Sequence, residues 1–112
     1  DMVSAIKRLG GKRDIYFRML QKFVEQADTH LQQVQAMHGK MDPDSLRRKV
    51  HELKGLAGSF GANRLHELAT TLEKELKANV DWKDLAYYEA FEKELQSVIQ
   101  EANRLCCTDK PG

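Results

Sequence analysis

Apolar residues return at steps of three and four along almost the whole chain, and that helical period leaves little room for any other architecture. Over 13–38 the spacing predicts a long helix with Phe17, Leu20, Val24, Ala27, Leu31 and Val34 on one stripe. Its heptad-like rhythm suits nearly antiparallel helix packing. Leu46, Val50, Leu53, Ala57 and Phe60 predict a second helix over 43–60, and Leu65, Leu68, Ala69, Leu72 and Leu76 a third over 63–78. Leu85, Tyr88, Phe91, Leu95, Val98, Ala102 and Leu105 predict a fourth over about 82–107, ahead of a polar tail at 108–112. Val3, Ile6 and Leu9 mark a short helix over 2–9. No alternating run is long enough for a convincing strand.

Turn and cap residues fall between these stripes. Gly10-Gly11 stops the short helix and Gly39 the first long one. Asp42-Pro43 pairs an N-cap acceptor with proline at the first helical position. Gly61 lies where a left-handed C-cap is wanted. Asn79-Val80-Asp81 breaks the third long helix, and Asp81, with Asp84 three on, can cap the last. The expected fold is all-α: one domain over 1–112, an antiparallel up-down-up-down four-helix bundle with the short N-terminal helix covering one end.

Composition narrows the function classes. Eighteen basic and seventeen acidic side chains leave a net charge of +1, so a nucleic-acid surface is not expected beyond a local patch. No run of 18 apolar residues spans a membrane and no secretory signal opens the sequence, so a cytoplasmic domain without direct membrane contact is expected. The adjacent Cys106 and Cys107 read as reduced thiols. The start at Asp1 and the polar tail suggest a domain of a longer chain, and an isolated domain of this kind is expected to be monomeric.

The 43–60 helix is not purely structural. Gly55 and Gly58 lie inside it, each costing about 0.8–1 kcal/mol relative to alanine. At about 100° per residue, His51 points about 135° away from the apolar cluster and should face water. Gly55 and Gly58 lie within about 40° of His51 and would clear the surface beside its ring. Lys54 flanks the ring from the other edge, and Arg47 and Arg48 lie one turn earlier. A neutral imidazole is a nucleophile near neutral pH and can take a phosphoryl group on a ring nitrogen. A nearby lysine offsets the charge of the transferring group, and bulk at 55 and 58 would obstruct a protein partner.

His51, Lys54, Gly55 and Gly61, followed by Ala62, Leu65, Leu68, Leu72 and Glu73, resemble the motif of histidine-containing phosphotransfer domains. Leu9-Gly10-Gly11 leading into Tyr16, Leu20 and Phe23 is similar to that family's entry into its first bundle helix. The resemblance covers nearly the whole chain. It implies a carrier that takes a phosphoryl group on His51 from a receiver-domain aspartate and passes it to another receiver. Lys54 would stabilise the phosphoryl charge, and Arg47, Arg48, Gly55 and Gly58 would meet the receiver. No ATP site and no bound cofactor are implied, since Mg²⁺ would sit on the receiver. The parent chain could be a membrane-anchored hybrid sensor kinase.

Rival motifs are incomplete. His51-Glu52 and His66-Glu67 begin like a zinc-protease motif, but the fifth residues are Gly55 and Thr70, so no metal site is expected. His30, His38 and His66 read as solvated or boundary residues. The alternative function is an unphosphorylated interaction module that binds an acidic partner through its basic face. A nucleic-acid binder using Arg47, Arg48, Lys49 and Lys54 would lack interleaved aromatics.

Overall fold

The computed structural model describes residues 2–78 and 85–108. Five helices account for most of them: α1 (Met2–Arg8), α2 (Arg13–Gly39), α3 (Pro43–Phe60), α4 (Asn63–Lys77) and α5 (Tyr88–Thr108). Among the described residues there is no strand. The long helices pack in a ring, α2 on α3, α3 on α4, α4 on α5 and α5 on α2, while α1 rests on α2 and α3.

The local signals explain the helix ends. Gly10 and Gly11 both take left-handed φ angles, +72° and +79°, which end α1. The Asp42 side chain accepts from the Ser45 amide at 3.2 Å, with Pro43 opening α3. Gly61 at φ +74° closes α3, and its neighbour Ala62 donates its amide to the Ala57 carbonyl at 2.9 Å. The last helix departs from expectation. It begins at Tyr88 rather than near 82: Leu85 is outside the helix, and 86–87 form a turn whose amides both donate to the Glu75 carboxylate. A carboxylate from α4 thus serves the incoming turn. The expected cap at Asp81, with Asp84, lies outside the described residues.

The stripes of α3 and α4 are buried as expected, but α2 is rotated. Its Leu20–Ala27–Val34 row is buried, yet the row beside it is Tyr16, Phe23 and His30 rather than Phe17, Val24 and Leu31. The latter three sit half-buried against the core. Spacings of three and four fit both rows, and the more apolar one is the natural choice from sequence. Polar partners reverse it. The Tyr16 hydroxyl donates to the Phe60 carbonyl at 3.0 Å, and His30 Nδ1 meets Lys49 Nζ at 2.7 Å. His30 is therefore buried, not solvated or at the boundary. On α5 the core also takes Ile99, with Val98 only half-buried.

Candidate functional site

The site is built on the face of α3 turned away from the Leu46–Val50–Leu53–Ala57 core row. His51 stands there with its side chain 66% exposed. Its Nδ1 lies 2.8 Å from Glu73 Oε2, and Glu73 comes from α4, the helix packed most extensively on α3. Glu73 is itself buried, its side chain only 6% exposed. Lys54 Nζ donates to the other oxygen, Oε1, at 2.8 Å, and Lys77 Nζ stands 3.8 Å from Oε2.

The electrostatics of Glu73 set the proton positions. Burial pushes its carboxyl upward. The hydrogen bonds from Lys54 and His51, with the charges of Lys54 and Lys77, more than offset that and hold it below the usual carboxylate range. An ionised carboxylate only accepts, so His51 Nδ1 is the donor. In the neutral ring the lone pair then resides on Nε2.

The glycines divide. A Cβ at Gly55 would meet nothing within 4 Å. A Cβ at Gly58 would touch the His66 ring at 3.5 Å, and the Gly58 carbonyl accepts from Arg8 at 2.8 Å. Position 58 is therefore bordered by α1 and α4, whereas position 55 is open. Arg48 is exposed and Arg47 half-buried, one turn before His51, and neither is in the Glu73 cluster. Gly61 is the left-handed cap of α3 and takes no part in the cluster.

The burial and partners of two charged residues were not expected from the sequence. Glu73 was legible only as part of a motif, yet it borders the inward Ala69–Leu72–Leu76 arc of α4, which is the signal of a charge forced toward the core. Lys49 does not belong to the basic surface. It is buried against His30 and donates to Glu52 at 3.0 Å. His66 is exposed, and half-buried His38 stacks on Tyr88 with ring centroids 3.6 Å apart. Among the described residues no cluster of His, Cys, Asp or Glu is placed to hold a metal ion, and no helix is long and apolar enough to cross a membrane.

The Hpt domain family model matches residues 18–104. No curated protein matches the chain. Among solved structures, the HPT domain of an Hpt sensor hybrid histidine kinase from Shewanella superposes with a TM-score of 0.90, over 99% of this chain and 96% of that one. At 17% identity that likeness speaks for the fold. Since the family model spans most of its length, the chain belongs to the Hpt domain family, the phosphoryl carriers of phosphorelays.

Proposed function

We propose that His51 is the phosphoryl acceptor, that its Nε2 is the attacking atom, and that receiver domains are both donor and acceptor. The observation that carries this is the exposed ring tied through Nδ1 to a buried carboxylate. The Nε2 lone pair attacks the phosphorus of a receiver's aspartyl phosphate. The N–P bond forms as the P–O bond to the aspartyl carbonyl breaks, and the receiver recovers its carboxylate. The ring keeps its Nδ1 proton through this step and gains positive charge, which the Glu73 carboxylate offsets at 2.8 Å. Transfer to a second receiver is the same step in reverse.

Lys54 has further N–H donors beyond the one given to Glu73, and they can reach the phosphoryl oxygens. Arg47 and Arg48 lie one turn back toward the incoming acidic pocket and favour its approach. The magnesium such a transfer needs belongs to the receiver. The ring of helix contacts supports an antiparallel up-down-up-down bundle acting as a single domain, and membership of the Hpt family supports a phosphotransfer module rather than an autonomous kinase. A monomer held at the cytoplasmic side of a hybrid sensor kinase is the setting this reading favours.

The test is labelling by a phosphorylated receiver. The wild-type domain gains an acid-labile, base-stable label, and His51→Gln loses it. Retained label in His51→Gln would overturn the assignment.

A further inference from the structure

Lys49 carries a buried ammonium that the chemistry at His51 does not use. Such a charge is tolerated only with partners, and it has two. His30 Nδ1 lies 2.7 Å from it on the α2 side, and Glu52 Oε2 accepts from it at 3.0 Å. The first partner is buried, but the second is not: the Glu52 side chain is 52% exposed, and it follows His51 directly in the chain. At about 100° per residue, Glu52 stands on the α2 flank of His51, while Arg47 and Lys54 lie about 40–60° to the other side, toward α4. Within one turn of His51 along α3, Glu52 is the single carboxylate. Arg48 shares its flank but makes no ion pair with it among the described residues. An exposed ion pair one turn apart is ordinarily loose. This one is anchored, because its ammonium is packed into the α2–α3 seam. A carboxylate has about four acceptor sites, and Lys49 fills one of them. Oε1 of Glu52 has no hydrogen bond among the described residues.

We propose that Glu52 is a specificity residue and Lys49 the residue that positions it: the held carboxylate takes an arginine or lysine at the rim of the receiver's pocket and turns away receivers that present a carboxylate there. This rests on the reading of His51 as phosphoryl acceptor, because a partner that reaches His51 covers the side chain next to it. The surroundings of His51 then carry two signs. Cations toward α4 suit the acidic pocket, and one anion toward α2 suits a cation beside that pocket. A receiver with the opposite arrangement meets like charge at Glu52, which discriminates more sharply than lost attraction alone. Holding the carboxylate in advance lowers the side-chain entropy that the contact would otherwise cost. The buried His30–Lys49 pair thus has a reason to be polar: it fixes a charge on the face where the partner arrives.

The test uses whichever receiver labels the wild-type domain fastest, with transfer measured as a function of receiver concentration. Glu52→Arg raises the half-saturating concentration about tenfold and leaves the maximal rate within about twofold. Glu52→Gln keeps an acceptor for Lys49 while removing the charge, and raises half-saturation about threefold. This second variant decides the matter if Glu52→Arg fails to fold. The receiver's surface arginines and lysines are then reversed to glutamate one at a time. One such reversal weakens transfer from the wild-type domain and restores half-saturation with Glu52→Arg to within about threefold of the original pair. A carboxylate that only neutralised Lys49 would lower thermal stability when replaced, and no receiver variant would restore the loss. Half-saturation within twofold of wild type in both Glu52 variants, a loss confined to the maximal rate, or the absence of any restoring reversal overturns the proposal alone. A wild-type domain that no receiver labels overturns it together with the phosphoryl-acceptor reading.

Discussion

His51 and His30 meet opposite sides of α3, and their partners have opposite charge. His51 stands in solvent and bonds a buried carboxylate from α4. His30 reaches from α2, buried and stacked on Phe23, and bonds the ammonium of Lys49, about 160° around the helix from His51. A carboxylate can only accept, so it fixes the proton on Nδ1 and leaves the lone pair of the neutral His51 ring on Nε2. An ammonium can only donate, so it takes the Nδ1 lone pair of His30 and leaves the proton on Nε2. Burial, then the charge of Lys49, push the His30 pKa down, against a smaller upward pull from Glu52. The partner as much as the exposure decides which histidine can do chemistry.

The sharpest way to break this comparison after His51→Gln is to neutralise the carboxylate. Glu73→Gln slows phosphotransfer about ten- to hundredfold, because the ring loses the charge that offsets its own in the transition state. Rapid-quench transfer assays measure this, and an unchanged rate would reduce Glu73 to a helix-packing group. The buried pair responds in stability instead. His30→Ala costs about 2–4 kcal/mol in denaturant unfolding, through lost packing and an ammonium short of one acceptor, while folded protein still labels at His51.

Acid separates the two sites further. The depressed His30 stays neutral in the native state while the unfolded chain binds a proton near its ordinary value of 6.5, so stability falls as pH drops below that value. Glu73 acts lower. Its contribution is full above the ordinary 4.5 and is lost as pH falls through its depressed value. Unfolding free energy measured against pH should therefore decline in two steps. His30→Gln keeps an acceptor for Lys49 and cannot titrate, so it should abolish the upper step alone.

The smallest effect belongs to the glycines. Gly55→Ala stabilises by up to about 1 kcal/mol, since its methyl group meets nothing within 4 Å. Gly58→Ala gains less, as its methyl touches the His66 ring at 3.5 Å. Gly58→Leu slows transfer without unfolding the domain, because exposed His66 can swing away. Thermal melts and transfer rates read both quantities. Unfolding of Gly58→Leu would mean that the glycine serves packing of α3 against its neighbours.

Local chemistry is written in the chain because it needs only nearby residues. The period of three and four, the Asp42-Pro43 opening and the Gly61 stop placed α3 at the bounds the structure has, and α4 one residue too long at its end. The outward direction of His51 follows from 100° per residue alone. The same reasoning failed on α2, where Phe17 and Tyr16, Val24 and Phe23, Leu31 and His30 are adjacent choices for one interface. Only the presence of Phe60 and Lys49 on a neighbouring helix makes the more polar row the buried one. It failed likewise at the start of α5, where the turn at 86–87 is held by Glu75 of another helix.

The sequence by itself determined that the chain is helical, where most helices begin and end, and that His51 faces water. The tertiary structure alone decided that Glu73 lies beneath His51, that Lys49 is buried against His30, and that Arg8 reaches the Gly58 carbonyl. Each of these joins residues from 19 to 50 positions apart. Helical periodicity gives the direction of a side chain about its own axis. It says nothing of the angle and register at which a second helix arrives, and a hydrogen bond between helices depends on both.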